Sequence, residues 1–196
     1  MVIKNILILG NTLLTEKVVD FLSKNYNLVG YIPSKNPTIK GNINLPIKDI
    51  NTECDIKLSI QYDQIIKDPI NCFNVHTGLL PSYGGTNILD YTLLNKEYEQ
   101  GLTFHKMTND LDYGPIINKI TYPVLFNDKV IDLYQRILLI GPYFVQSSLE
   151  LLKNLSKEQV KSCFKIKPTL YKRGKFKLTP EMKKINNNEK YKFTKK

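Results

Sequence analysis

Groups that carry proton chemistry near neutral pH are scarce in this chain. Its 196 residues hold two histidines, His76 and His105. Histidine is the side chain whose ordinary pKa lies in that range, so a stretch containing both is the first place to look for chemistry. Cysteine is scarce too. Cys54, Cys72 and Cys163 are far apart, odd in number and form no Cys-x-x-Cys pair. That spacing argues against a zinc site and against a disulfide framework, so no metal is expected and a reducing, cytoplasmic setting is the simplest fit. Long apolar runs are absent. No stretch reaches the roughly 18 residues of a membrane helix, and Ile3–Leu9 is a strand's length before Gly10, with no secretory signal. No membrane partner is expected, and no internal repeat is present.

What the chain does contain is ordinary globular composition, 42% hydrophobic and 23% charged, with 10 Gly and 10 Pro. The length suits one domain with a real core. The formal charge of +10 is uneven, since Lys161–Lys196 carries 13 Lys or Arg against two Glu while the rest is near neutral. One domain is expected over residues 1–180, followed by a basic, flexible tail over 181–196. Such a tail can attract anions or RNA, but a solvated tail is the simpler account and nucleic acid is not the expected partner.

The apolar run Val2–Leu9 suits a buried strand of a parallel sheet. Gly10-Asn11-Thr12 breaks it, and helical spacing places Thr15–Ser23 in an amphipathic helix. Asn27–Ile32 follows as a strand. This βαβ unit predicts a Rossmann-like α/β sheet. The turn at Gly10 is not a dinucleotide fingerprint, because one glycine is followed by Leu13 and Leu14. Pro33–Glu53 reads as loop with a short helix near Ile47–Ile50. Strands are expected at Ile56–Ile60, Ile70–Val75, Leu102–Lys106 and Ile116–Val124, the last at a sheet edge because of Pro123. Helices are expected at Asn87–Asn95 and Val130–Asn154, the second kinked or restarted at Gly141-Pro142.

The chemistry gathers between Cys72 and Gly114. Residues two apart on a strand share a face, so Asn74 and His76 point together into one crevice at a strand's carboxyl end. An amide donor beside an imidazole suits acyl transfer: the amide steadies developing negative charge and the imidazole handles protons. Asp112, in a glycine-bounded loop, can orient the imidazole. Thr103 and His105 share one face of their strand.

The order Asn74-Val75-His76, Leu79-Leu80-Pro81, Tyr83-Gly84-Gly85, Gly101-Leu102-Thr103-Phe104-His105, Leu111-Asp112-Tyr113-Gly114 resembles the 10-formyltetrahydrofolate-dependent formyltransferases. The match covers about Ile56 to Val124. The resemblance implies a three-layer α/β/α formyltransferase fold with a mostly parallel sheet. It also implies a catalytic triad of Asn74, His76 and Asp112, with 10-formyltetrahydrofolate as the formyl donor. The folate would lie against Ile60, Gln61, Tyr62 and Asp63 and the loop Asn109, Asp110 and Leu111, largely through backbone groups.

Three acceptors compete within that resemblance. The sugar N-formyltransferases, which act on nucleotide-linked amino sugars (dTDP or UDP), fit best. Ser59–Asp63 resembles their folate loop, and Tyr171-Lys172-Arg173 resembles their aromatic-basic motif. Acceptor contacts are then expected from Tyr83, Gly85, Asn87, His105, Tyr171, Lys172 and Arg173, in a possible homodimer. Their frequent arginine between Tyr83 and Gly85 is Gly84 here. Glycinamide ribonucleotide formyltransferase is the alternative, although Leu13 and Leu14 stand where it holds a phosphate. The methionyl-tRNA enzymes carry a large C-terminal barrel domain, for which no room is expected after Lys161. A non-catalytic folate- or nucleotide-binding module with an RNA-binding tail is the remaining alternative.

Overall fold

The computed structural model describes residues 2–172. The expected tail over 181–196, and Arg173, lie outside the described residues. Twelve elements follow in order: β1 (Asn5–Leu9), α1 (Leu13–Leu22), β2 (Asn27–Ile32), β3 (Ile56–Ile60), β4 (Cys72–His76), β5 (Gly84–Gly85), α2 (Ile88–Leu94), β6 (Glu99–Lys106), β7 (Ile116–Pro123), α3 (Val130–Lys153), α4 (Lys157–Ser162) and β8 (Leu170–Tyr171).

Six strands form one sheet in the order β2-β1-β3-β4-β6-β7. The pairs among β2, β1, β3 and β4 are parallel, whereas β6 is antiparallel to both of its neighbours. The result is a mixed α/β, Rossmann-like fold with a mostly parallel sheet, and β7 is its edge strand as Pro123 implied. β5 and β8 form a separate two-stranded parallel ribbon.

The pleat divides the sheet's residues between two faces. Ile6 and Ile8, Leu58, Phe73 and Val75, and Leu102 and Phe104 point to one face, where Leu14, Val18 and Leu22 of α1 and Leu133, Ile137, Phe144, Val145 and Leu149 of α3 cover them. The Phe73 and Phe104 rings stack at 5.6 Å across β4 and β6. Leu7, Leu9 and Cys72 point to the opposite face, under Ile66 with Tyr62, Cys54 and Met107 packed around them. These four covering residues lie in irregular chain. The face that carries Asn74, His76, Thr103 and His105 is therefore the one covered by loops rather than by helices.

Two expectations are corrected. Ile47–Ile50 is not a helix: Ile47 bridges to Tyr31 as a parallel extension beside β2, so backbone pairing overrides local propensity. The Gly141-Pro142 pair does not divide the last long helix. α3 runs from Val130 to Lys153 with Pro142 inside. A helix-interior proline costs about 3 kcal/mol, while each large apolar side chain buried gains roughly 1.5–3 kcal/mol. The stripe from Leu133 to Leu152 buries several on both sides of the proline, so packing wins. Gly141 has its own reason. A Cβ there would lie 2.7 Å from Leu14 Cδ1, so the glycine lets α3 approach α1. α4 and the short strands β5 and β8 were not foreseen, since two-residue strands carry no periodic signal.

Candidate active site

Register assembles the site. Antiparallel pairing of β4 with β6 sets Asn74 opposite His105 and His76 opposite Thr103. Parallel pairing of β3 with β4 sets Ser59 beside Asn74 and Ile60 beside Val75, which brings Gln61 alongside His76 at the carboxyl ends. Ligands of open α/β sheets bind at this end.

Asn74 and His105 form a defined pair. His105 is buried, and its Nδ1–H donates to the Lys106 carbonyl at 3.1 Å. A carbonyl only accepts, so Nε2 is left as an acceptor, and Asn74 Nδ2 donates to it at 3.2 Å. That bond settles the amide's orientation and leaves its second N–H for another acceptor. Burial, followed by the nearby charge of His76, drives the His105 pKa down to about 4 against the opposing pull of Asp112. His105 is therefore neutral near pH 7, as an acceptor must be.

His76 sits between two acceptors. Its Nε2 donates to the Tyr83 carbonyl at 2.6 Å, and its Nδ1 faces Asp112 Oδ1 at 3.5 Å. Both side chains are 6% exposed, so little water screens the pair. Asp112, with a left-handed φ of 50°, accepts from the Gly85 N–H through Oδ2 at 2.7 Å and lies 3.8 Å from His105 Nε2. Asn74, His76, His105 and Asp112 thus form one contiguous cluster. Among the described residues no group of three or more His, Cys, Asp or Glu is arranged to hold a metal ion.

The flanking loops are fixed by side chains, among which sequence reasoning placed Thr103 on the same face as His105 but did not single out Gln100 or Glu97. Thr103 Oγ1 donates to the Gly78 carbonyl at 2.7 Å and accepts from Leu80 N at 3.1 Å, pinning the loop after His76. Gln100 Oε1 accepts from Leu79 N at 2.8 Å. Glu97 accepts from the Tyr83 hydroxyl at 2.6 Å, and burial, then that bond, raises the Tyr83 pKa. The Gly-x-Thr-x-His spacing offered a signal for Thr103; Gln100 and Glu97 offered none.

In the folate-loop segment, Ile60 is buried and Gln61 has a left-handed φ of 52°. The Gln61 side chain is occupied, accepting from Thr12 Oγ1 at 2.8 Å and Tyr134 OH at 3.4 Å. Asp63 holds the backbone N–H groups of Lys35 and Asn36 at 2.9 and 2.6 Å, and the Tyr62 hydroxyl accepts from Gln64 at 3.0 Å. Asn109, Asp110 and Leu111 are exposed on the second loop, which Thr108 ties together by donating to the Asp110 and Tyr113 carbonyls.

On the acceptor side, Tyr83 stacks on Tyr171 at 5.1 Å, and Tyr171 tilts against Tyr91 at 4.3 Å. Gly85 pairs with Tyr171. Asn87 is exposed, with a left-handed φ of 58°, at the start of α2. Lys172 is exposed, and its carbonyl accepts from Tyr91 OH at 3.5 Å. At the Gly10 turn the backbone N–H groups of Gly10 and Leu13 donate to Ile32 and Ile39, and those of Thr12 and Thr15 to each other's hydroxyls.

Comparison with known proteins fits this geometry. Residues 60–149 match the family model described as Formyl transferase. A methionyl-tRNA formyltransferase of Pelobacter propionicus is 34% identical over 85 residues, 43% of this chain and 27% of its own length. The chain spans less than half the length of the curated relatives it matches. Among solved structures, WlaRD, a sugar 3N-formyl transferase crystallised with dTDP and 5-N-formyl-THF, superposes with a TM-score of 0.75. It is 26% identical and covers 91% of this chain and 73% of its own. An N-formyltransferase from Helicobacter canadensis shares the fold, with a TM-score of 0.74, 24% identity, and 90% and 73% coverage.

Proposed function

From a chain whose residues 60–149 carry a formyl transferase domain, we propose an enzyme that transfers a formyl group from 10-formyltetrahydrofolate to the amine of a nucleotide-linked amino sugar. The observation that carries this reading is the placing of Asn74 and His76 on one face of β4, with Asp112 behind His76. The folate supplies the activated formyl group. Residues 60–63 and 109–112 would hold it. The fit is to backbone there, because the Gln61 and Asp63 side chains are already hydrogen-bonded within the chain.

Asn74 presents its second amide N–H where negative charge develops on the formyl oxygen, while His105 holds the first. Preorganised donors of this kind need no reorientation during reaction. His76 Nε2–H can pass from the Tyr83 carbonyl to that oxygen, with Asp112 orienting the ring through Nδ1. Asp112 is also placed to draw the proton from the attacking amine through water.

The sugar acceptor is supported by the likeness to the WlaRD structure across 91% of this chain. That span extends beyond the shared domain towards the tyrosines around Tyr171. The Gly10 turn weighs against a ribonucleotide phosphate bound there, since several of its N–H groups already have partners in the chain. The methionyl-tRNA enzymes among the relatives make an aminoacyl-tRNA the second acceptor to test.

The test is release of tetrahydrofolate from 10-formyltetrahydrofolate in the presence of dTDP- and UDP-linked 3-amino and 4-amino sugars, glycinamide ribonucleotide and methionyl-tRNA. His76→Ala is the control. Turnover with an amino sugar, abolished in the variant, is the expected result. Turnover with one of the other two acceptors alone reassigns the substrate. Folate binding with no turnover on any acceptor leaves a binding module instead.

A further inference from the structure

β8 lies outside the matched residues 60–149, yet its ribbon with β5 touches both members of the His76–Asp112 pair through one short loop. Thr169 N–H donates to the Pro81 carbonyl, and the N–H groups of Gly84 and Thr86 donate to the Thr169 and Tyr171 carbonyls, all at 2.9 Å. Gly85, between them, has φ of 92°, and a Cβ there would lie 2.2 Å from the Tyr171 carbonyl oxygen. Only glycine accommodates both that conformation and that contact. The Gly85 N–H left facing away from the ribbon is the group that donates to Asp112.

The same loop reaches His76. The carbonyl that accepts from His76 Nε2 belongs to Tyr83, and the Tyr83 ring stacks nearly parallel, at 12°, on Tyr171. Tyr171 is itself wedged against Tyr91 and accepts from Asn95 Nδ2 at 3.2 Å. Residues 83–85 therefore carry β8 on one side and both His76 and Asp112 on the other.

We infer that β8 is a positioning element: seating Leu170–Tyr171 against Gly84–Gly85 aligns Asp112 and His76, with Tyr171 as the residue that seats it. The inference rests on the assignment of Asn74, His76 and Asp112 as the site, and it deepens that assignment. An acceptor that engages the half-buried Tyr171 face and Lys172 would thereby tighten the site that formylates it. This couples acceptor recognition to catalytic geometry without any residue of β8 touching the reacting atoms. Small displacements of positioning groups cost catalysts about a hundred-fold for roughly 1 Å.

The test is made in the full-length chain with Tyr171→Ala, Gly85→Ala and the conservative Tyr171→Phe. Val160→Ala serves as the destabilised control, because Val160 is buried in α4 away from the ribbon. With only two histidines, imidazole nitrogen NMR signals can be assigned to His76 and His105 without substrate. The expected result is that Tyr171→Ala and Gly85→Ala move the His76 ring signals, Tyr171→Phe restores them, and Val160→Ala leaves them in place. With an active acceptor, the first two variants lower kcat about ten-fold or more, and the folate Kd stays within about two-fold. His76 signals unchanged in Tyr171→Ala overturn the inference, whether or not any acceptor is found. So does a rise in acceptor KM with kcat intact. Absence of turnover in the wild type, with the NMR response present, overturns the proposed reaction and leaves the positioning role standing.

Discussion

Acidification should destabilise this protein through His105. Burial depresses the His105 pKa from 6.5 to about 4, and the unfolded chain restores the ordinary value. Between those values the unfolded state binds more protons, so stability is complete above the unfolded pKa and falls as pH drops toward the folded one. The two values imply a loss of about 2 kcal/mol between roughly pH 7.5 and pH 5, a large part of a typical stability of about 5–15 kcal/mol. Asp55, Asp128 and Glu150 have lowered pKa values, caused chiefly by backbone bonding for Asp55, by Arg136 for Asp128 and by Lys153 for Glu150. Their contributions fade only below the ordinary carboxylate range. The assay is urea unfolding at the two pH values, for wild type and for His105→Gln. Gln can accept from Asn74 but does not titrate, so the variant should lose most of that pH slope whatever its stability at neutral pH. Equal slopes in the two proteins would refute the reasoning. They would mean that Asp112, 3.8 Å from Nε2, holds a protonated His105 as readily as the cavity holds a neutral one.

Other outcomes follow from single contacts. Asn74→Ala should lower kcat about 100- to 1000-fold with little change in folate affinity, as measured by steady-state turnover and direct binding, since the proposed oxyanion donor is removed. Thr103→Val keeps the shape but leaves Leu80 N without its acceptor, so it should cost about 1–3 kcal/mol in chemical unfolding. Phe104, fully buried between sheet and helices, should cost about 3–5 kcal/mol when changed to Ala. Cys72 is 1% exposed, with its thiol pushed up to about 11 by burial. It should resist a thiol reagent at neutral pH in the native protein and react once urea unfolds it.

The sequence by itself determined the sheet and the pairing of chemistry along one strand. The apolar run Val2–Leu9 announced β1 as a buried strand, because a strand covered on both faces has no polar side to show. The period of two placed Asn74 and His76 on one face, because successive side chains alternate. Glycine and proline marked the loops around them. Tertiary structure decided everything that depends on which segments lie side by side. His105 meets Asn74 because β4 and β6 pair antiparallel in one register, and a shift of one residue would have turned His105 to the helical face. Pro142 stays within a helix because α3 packs along the sheet and α1, a contact that local propensity does not contain. Ile47 extends a strand edge because Tyr31 is there to pair with it. Asp112 meets His76 because the Gly85 N–H holds it, and Gly85 is held in turn by Tyr171, 86 residues further along the chain. Periodicity reports the environment of one segment, whereas a hydrogen bond between distant backbones exists only after the chain has closed the loop between them.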